Sequence, residues 1–175
     1  MDAMLIVDMQ VGLLNGKPKH DLPGVIARIN QLAAHVRAES GIVIFIQHCG
    51  DSGDDFEPQT PGWELLPELV RDPADVIVQK RLNDPFAGGE LQARLDRITP
   101  DRVLVTGWAT DLCVDATVRS AVSNHHGVVV VTDAHTLSDR PHLDAVSVMR
   151  HHHWVWSNLI TPKPIRLAVT DELLP

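Results

Sequence analysis

What most constrains this chain is a recurrence: short, nearly unbroken apolar runs rich in β-branched residues, each followed by a longer segment with helical spacing. The runs are Met4-Leu5-Ile6-Val7, Ile42-Val43-Ile44-Phe45-Ile46, Val76-Ile77-Val78-Gln79, Arg102-Val103-Leu104-Val105-Thr106 and Val128-Val129-Val130-Val131-Thr132. A strand apolar in every position is buried on both faces, a property of parallel sheets covered by helices. Between the runs, Val25, Ile26, Ile29, Leu32, Ala33 and Val36 repeat at helical spacing until Gly41 stops them. Leu91–Ile98, Leu112–His125 and about Pro141–Asn158 read as further helices, and Leu65–Val70 as a short helical turn. Pro164–Val169 reads as a last strand, at an edge because prolines precede it. Strands alternating with helices predict an α/β chain whose parallel sheet carries helices on both faces, joined by right-handed crossovers. No repeat or boundary interrupts the pattern, so residues 1–175 are expected to form one domain.

A chain of 175 residues buries a sizeable core without a staple, and two cysteines, Cys49 and Cys113, make no disulfide framework. The net charge of -8, with ten histidines counted neutral, argues against nucleic acid or anionic membrane as partner, since both need a basic face. A small-molecule substrate is the expected partner. The start Met1-Asp2-Ala3-Met4-Leu5 lacks the basic and apolar regions of a signal peptide, and a cytoplasmic location is expected.

In doubly wound sheets, ligands bind outside the carboxyl ends of the strands, where the strand order reverses. Asp8 ends the first strand, Lys80 ends the third, and Cys113 follows the fourth, within Gly107-Trp108-Ala109-Thr110-Asp111-Leu112-Cys113-Val114. Thr110 and Asp111 stand at a helix N-cap, which puts Cys113 in a first turn where free N–H groups and the positive dipole end favour a thiolate. A small buried apolar cysteine is the competing reading. Unperturbed values near 3.9 and 8.5 make proton transfer from Cys113 to Asp8 uphill by ~6 kcal/mol, so Lys80 must be part of any mechanism. Trp108 and Phe86 are candidate pocket walls, and His48 and Gln10 candidate substrate contacts. The run Asp51–Pro61, with Gly62-Trp63 beyond it, is long enough to be a lid or a subunit contact. His151, His152 and His153 splay by about 100° each along a helix and are expected at a surface or interface, not around one ion.

Taken together, Val7-Asp8-Met9-Gln10, Gln79-Lys80 with Asp84-Pro85-Phe86, the Gly107–Val114 stretch with Thr117-Val118-Arg119-Ser120-Ala121, and Val131-Thr132-Asp133-Ala134 resemble the isochorismatase-like cysteine hydrolase superfamily. The resemblance covers nearly the whole chain. It implies a three-layer, Rossmann-like fold with a six-stranded parallel sheet, and a triad of Asp8 as base, Lys80 as electrostatic partner and Cys113 as nucleophile. It also implies a cis Trp108–Ala109 peptide, aiming the Ala109 amide into an oxyanion hole beside that of Cys113, and a homodimer or higher oligomer. The Asp-x-His pattern of metal-dependent relatives is missing at Gln47-His48-Cys49-Gly50-Asp51, so no metal or other cofactor is expected. Isochorismatases proper lack the nucleophilic cysteine; Cys113 therefore points to C–N hydrolysis of a small amide, ureide or lactam. Gly89 stands where the family often has Thr. The alternative is a non-catalytic doubly wound binding module, such as a phosphoacceptor receiver. A receiver, however, has a carboxylate ending strand three and its lysine after strand five, where this chain has Lys80 and Asp133.

Overall fold

The computed structural model describes residues 1–175. Its centre is a six-stranded, all-parallel sheet in the order β3-β2-β1-β4-β5-β6, as the resemblance implies. In chain order the elements are β1 (Asp2–Val7), α1 (Val11–Leu14), α2 (Leu22–Ala38), β2 (Ile42–His48), β3 (Val76–Lys80) and α3 (Glu90–Ile98). They continue with β4 (Arg102–Trp108), a π-turn at Thr110–Val114, α4 (Asp115–Ser123), β5 (Val128–Thr136), α5 (Ala145–Ser157) and β6 (Arg166–Ala168). The order reverses between β1 and β4, so the carboxyl ends of those two strands flank the crevice such folds use.

Alternation along each strand sorts the core onto two faces. Leu5, Val7, Ile44, Ile46, Val103 and Val105 meet Leu91 and Leu95 of α3 and Val118, Ala121 and Val122 of α4, in a cluster that also holds Cys113. Met4, Ile6, Val43, Phe45, Leu104 and Val129 meet Val25, Ile29, Leu32 and Val36 of α2 on the other face. Residues whose two sides both lie under helices have no solvated face on which to place polar residues, and this is why the strands read as continuous apolar runs.

Four local expectations change. Leu65–Val70 forms turns and no helix: Pro67 interrupts it, and the backbone there serves the β1 exit, Leu66 N donating to Met9 O (2.9 Å) with a Gln10–Leu65 antiparallel bridge. The helix after β4 starts as a π-turn, Val114 N donating to Ala109 O (3.1 Å), before α4 proper begins at Asp115. Helix α5 begins at Ala145, not near Pro141, because Asp144 caps it by accepting from Ser147 N (2.8 Å). Strand β5 runs on past Asp133 to Thr136 through a register shift opposite Val105–Gly107, with Asp133 Oδ1 accepting from Thr170 N and Oγ1 (both 2.9 Å). Asp133 looks like a strand end in sequence, and it is a bulge instead. No helix is long and apolar enough to cross a membrane.

Candidate active site

Lys80 reaches the site by alternation: Val78 points into the Cys113 face of the sheet, and so does Lys80 two residues on. Asp8 cannot arrive that way, since continuing β1 would send it to the opposite face with Met4 and Ile6. Its backbone turns left-handed (φ 51°), a conformation Asp tolerates better than most residues, and the carboxylate is brought to Lys80. Gly107 makes the third approach possible. At φ 114° a Cβ there would lie 2.2 Å from Val7 O, so glycine alone lets β4 run tight against β1 just before the nucleophile turn.

The three groups meet. Lys80 Nζ donates to Asp8 Oδ2 (2.7 Å), to Leu82 O (3.0 Å) and to Cys113 Sγ (3.4 Å), which uses all three ammonium protons. The side chains of Lys80 and Asp8 are only 3% and 1% exposed. Cys113 Sγ, 6% exposed as a residue, donates its own proton toward Asn83 Oδ1 (3.7 Å). Asp8 Oδ1 is buried without an aligned hydrogen-bond partner, yet the carboxylate is close enough to the thiol for both hydrogen bonding and charge to act between them. Burial pushes Asp8 above the usual carboxylate range against the pull of Lys80. Burial also pushes the Cys113 thiol up to about 12, Asp8 adding to the rise and Lys80 opposing it. The helix-start argument expected the reverse. Desolvation and the Asp8 charge outweigh the cation here, so the resting site holds a thiol.

Beside Lys80 opens a cavity of about 430 Å³, its walls including Cys49, Pro58, Arg81, Asp84 and Gly88. The Trp108–Ala109 peptide is cis, and the amide of fully buried Ala109 donates to no backbone or side-chain acceptor. An unpaired buried N–H four residues ahead of the thiol is a ready oxyanion donor. No group of three or more His, Cys, Asp or Glu side chains is placed to share a metal ion.

None of the four residues expected to contact substrate lines this cavity. Gln10 is fully buried and fully bonded, donating to His48 O and Trp63 O (both 2.9 Å) and accepting from His48 N (2.7 Å). It ties the long loop down. Trp108 packs between the α2-face cluster, where alternation in β4 puts it with Leu104, and the smaller cluster of Ala109, Leu137 and Met149 beside α5. Phe86 lies inside the apolar cluster that floors Cys113, against the His126 ring at 6.0 Å. His48, in register with Lys80, packs its ring on Phe56 at 5.2 Å, and burial and then Lys80 hold it below its ordinary value. The Asp51–Trp63 loop folds back on its own chain: Pro58 lines the cavity, Arg81 pairs with Asp51 (3.1 Å), and Trp63 Nε1 donates to Cys49 Sγ (3.4 Å).

Three contributors carry no assigned role in the sequence. Asn83 follows no spacing rule, and Asp84 acts as a brace, accepting from Ser120 Oγ (2.7 Å) and Phe86 N (2.8 Å). His135, fully buried on the extension of β5, meets Thr110 Oγ1 through Nδ1 (2.8 Å) and His153 Nε2 through Nε2 (3.0 Å). A run Ala134-His135-Thr136 continuing the β5 alternation was the available signal. Of the three consecutive histidines, His153 is therefore an internal partner, half-buried, while His151 is exposed. On the same helix Trp156 is buried, donating to Asp115 Oδ1 (2.8 Å), and Trp154 is 64% exposed.

His135 makes stability depend on pH. Burial pushes its imidazole from 6.5 down to about 3, so below 6.5 the unfolded chain binds a proton that the folded chain refuses. The stabilisation is whole above about 6.5 and is lost as pH falls toward 3, amounting to about 2 kcal/mol by pH 5. Urea unfolding at pH 7.5 and 5.0 should show His135→Gln losing less stability on acidification than the wild type, by about that amount. Equal losses would mean His135 is not held neutral.

Fold and site together define a doubly wound α/β protein with a buried Asp–Lys–Cys cluster at its topological switch. The chain belongs to the isochorismatase family: the model for the Isochorismatase domain matches residues 2–157. It is similar to two streptothricin hydrolases of Streptomyces noursei, 34% identical over 142 residues (81% of this chain, 51% of the relative) and 32% over 148 residues (84% and 59%). The chain thus spans about half to three-fifths of those relatives' length. A ureidoacrylate amidohydrolase of Stutzerimonas stutzeri is 27% identical over 75% of this chain and 68% of the relative. An isochorismatase structure from Pseudomonas putida superposes with a TM-score of 0.90 at 22% identity, covering 99% of this chain and 90% of that one.

Proposed function

We propose that this protein hydrolyses a C–N bond of a small amide, ureide or lactam through a thioester on Cys113, with Asp8 as proton acceptor and donor, Lys80 as electrostatic partner and no metal. The observation that carries the reading is the Lys80 ammonium bonded at once to the Asp8 carboxylate and the Cys113 sulfur, buried beside a cavity. The names of relatives that hydrolyse streptothricin and ureidoacrylate support the C–N bond.

The chemistry follows from the energetics. Releasing the proton of a thiol at about 12 to water at pH 7 costs about 7 kcal/mol, close to half of the ~16 kcal/mol barrier of a typical turnover of about 10 s⁻¹. Handing the proton directly to Asp8 as sulfur attacks avoids most of that cost, and raised Asp8 is the stronger base for it. As Sγ bonds the carbonyl carbon, the C=O pair moves to oxygen, which the Ala109 and Cys113 amides receive. Collapse breaks the C–N bond, and the nitrogen leaves with the proton from Asp8. Water then attacks the thioester, giving its proton to Asp8 and freeing the acid and the thiol.

The test is a panel of primary amides, ureides and lactams assayed for ammonia, amine or ring-opened product, with and without EDTA. Chelator-insensitive turnover of at least one class is expected. Turnover that vanishes with EDTA and returns with a metal would contradict the metal-free mechanism, and a silent panel would count against hydrolysis.

A further inference from the structure

We infer that Asn83 couples substrate binding to activation of Cys113, and so selects amides whose scissile nitrogen carries a hydrogen. The inference rests on the hydrolase reading above. Sulfur already receives a proton from Lys80, so its own proton points elsewhere, and the aligned acceptor is Asn83 Oδ1 at 3.7 Å. Asp8 Oδ1, which must take that proton in the reaction, has no aligned partner. Two acceptors, Asn83 Oδ1 and the Asp8 carboxylate, therefore compete for one thiol proton.

Asn83 is exposed but well placed. Leu82 before it is pinned through its carbonyl to Lys80 Nζ (3.0 Å), and Asp84 after it is pinned to Ser120 Oγ (2.7 Å). Both neighbours line the cavity, and Asn83 between them in the chain reaches the sulfur. An amide arriving with its carbonyl carbon at Sγ brings its nitrogen to the same edge. If that nitrogen bears a hydrogen, its N–H donates to Asn83 Oδ1 more strongly than a thiol does. The displaced S–H turns to Asp8 Oδ1, and proton transfer, S–C bond formation and C–N cleavage proceed as above. An ester or N,N-dialkylamide offers no such donor and leaves the thiol proton where it rests.

The test compares a primary amide, once the panel has identified one, with the methyl ester of the same acid, in wild type, Asn83→Ala and Cys113→Ala. Asn83→Ala is expected to lower kcat/KM for the amide about 3- to 10-fold, the worth of one neutral hydrogen bond, and not to lower it for the ester, whose thiol proton the substitution frees for Asp8. Equal losses on both substrates, or no loss on either, would overturn the inference while Cys113-dependent turnover stood. Turnover surviving in Cys113→Ala would overturn the underlying reading instead. If Asn83→Ala does not fold, the wild type decides: it should reject the N,N-dimethylamide relative to the N-methylamide by a similar factor, and equal handling would sink the idea.

Discussion

Cys113→Ala should lose at least about 10⁴-fold in kcat and remain folded. The sulfur is a small buried atom in the cluster beneath α4, so its removal leaves a minor cavity costing on the order of 1 kcal/mol. The loss is chemical. Every other part of the site would persist, including the Lys80–Asp8 pair and the Ala109 amide, and could still bind substrate. Steady-state kinetics with a melting curve check both halves. An active Cys113→Ala would mean that Asp8 directs water to the substrate without covalent catalysis; an inactive but unfolded one would show that the residue's packing had been undervalued.

Lys80→Met should be damaged twice, in activity and in stability. It strands a carboxylate that is 1% exposed and a Leu82 carbonyl that the ammonium had satisfied, and breaking a buried pair from one side costs about 3–5 kcal/mol. Adding Asp8→Asn removes the stranded charge. The double variant should recover much of the lost stability, because a neutral pair in place of a buried ion pair is often near neutral in energy, yet it should stay inactive. Chemical unfolding of the four proteins of this cycle measures the coupling. Additive losses would show that Lys80 and Asp8 do not stabilise each other, and activity in the double variant would remove both from the mechanism.

The sheet was legible because a doubly covered strand has no alternative to an apolar run, and β1, β2, β4 and β5 each declare themselves that way, while β3 at the edge exposes Ile77 and Gln79 on one face. Lys80 was legible for the same reason, being two residues from Val78. Asp8 was legible as a strand-end residue, but its arrival on the Cys113 face depends on a left-handed backbone that no periodicity encodes. The protonation state of Cys113 went the wrong way: position in a first turn is a local property, whereas burial to 6% exposure depends on how α4 closes over the sheet. Gln10 and Trp108 were placed at the rim by proximity in sequence. Hydrogen bonding to the returning loop in one case, and strand alternation in the other, turn them away from the cavity. His135 stayed hidden because Asp133 looks like an end and is a bulge, and Asn83 because loops carry no period.

The central claim is a thioester on Cys113, and its most direct test is partitioning with hydroxylamine. Two amides sharing one acyl group but differing in leaving amine would be hydrolysed at fixed hydroxylamine, and the ratio of hydroxamate to acid measured for each. A common Cys113 thioester predicts the same ratio for both, since the amine has departed before the nucleophiles compete. A ratio that changes with the leaving amine, or acid formed with no hydroxamate at all, would contradict the account.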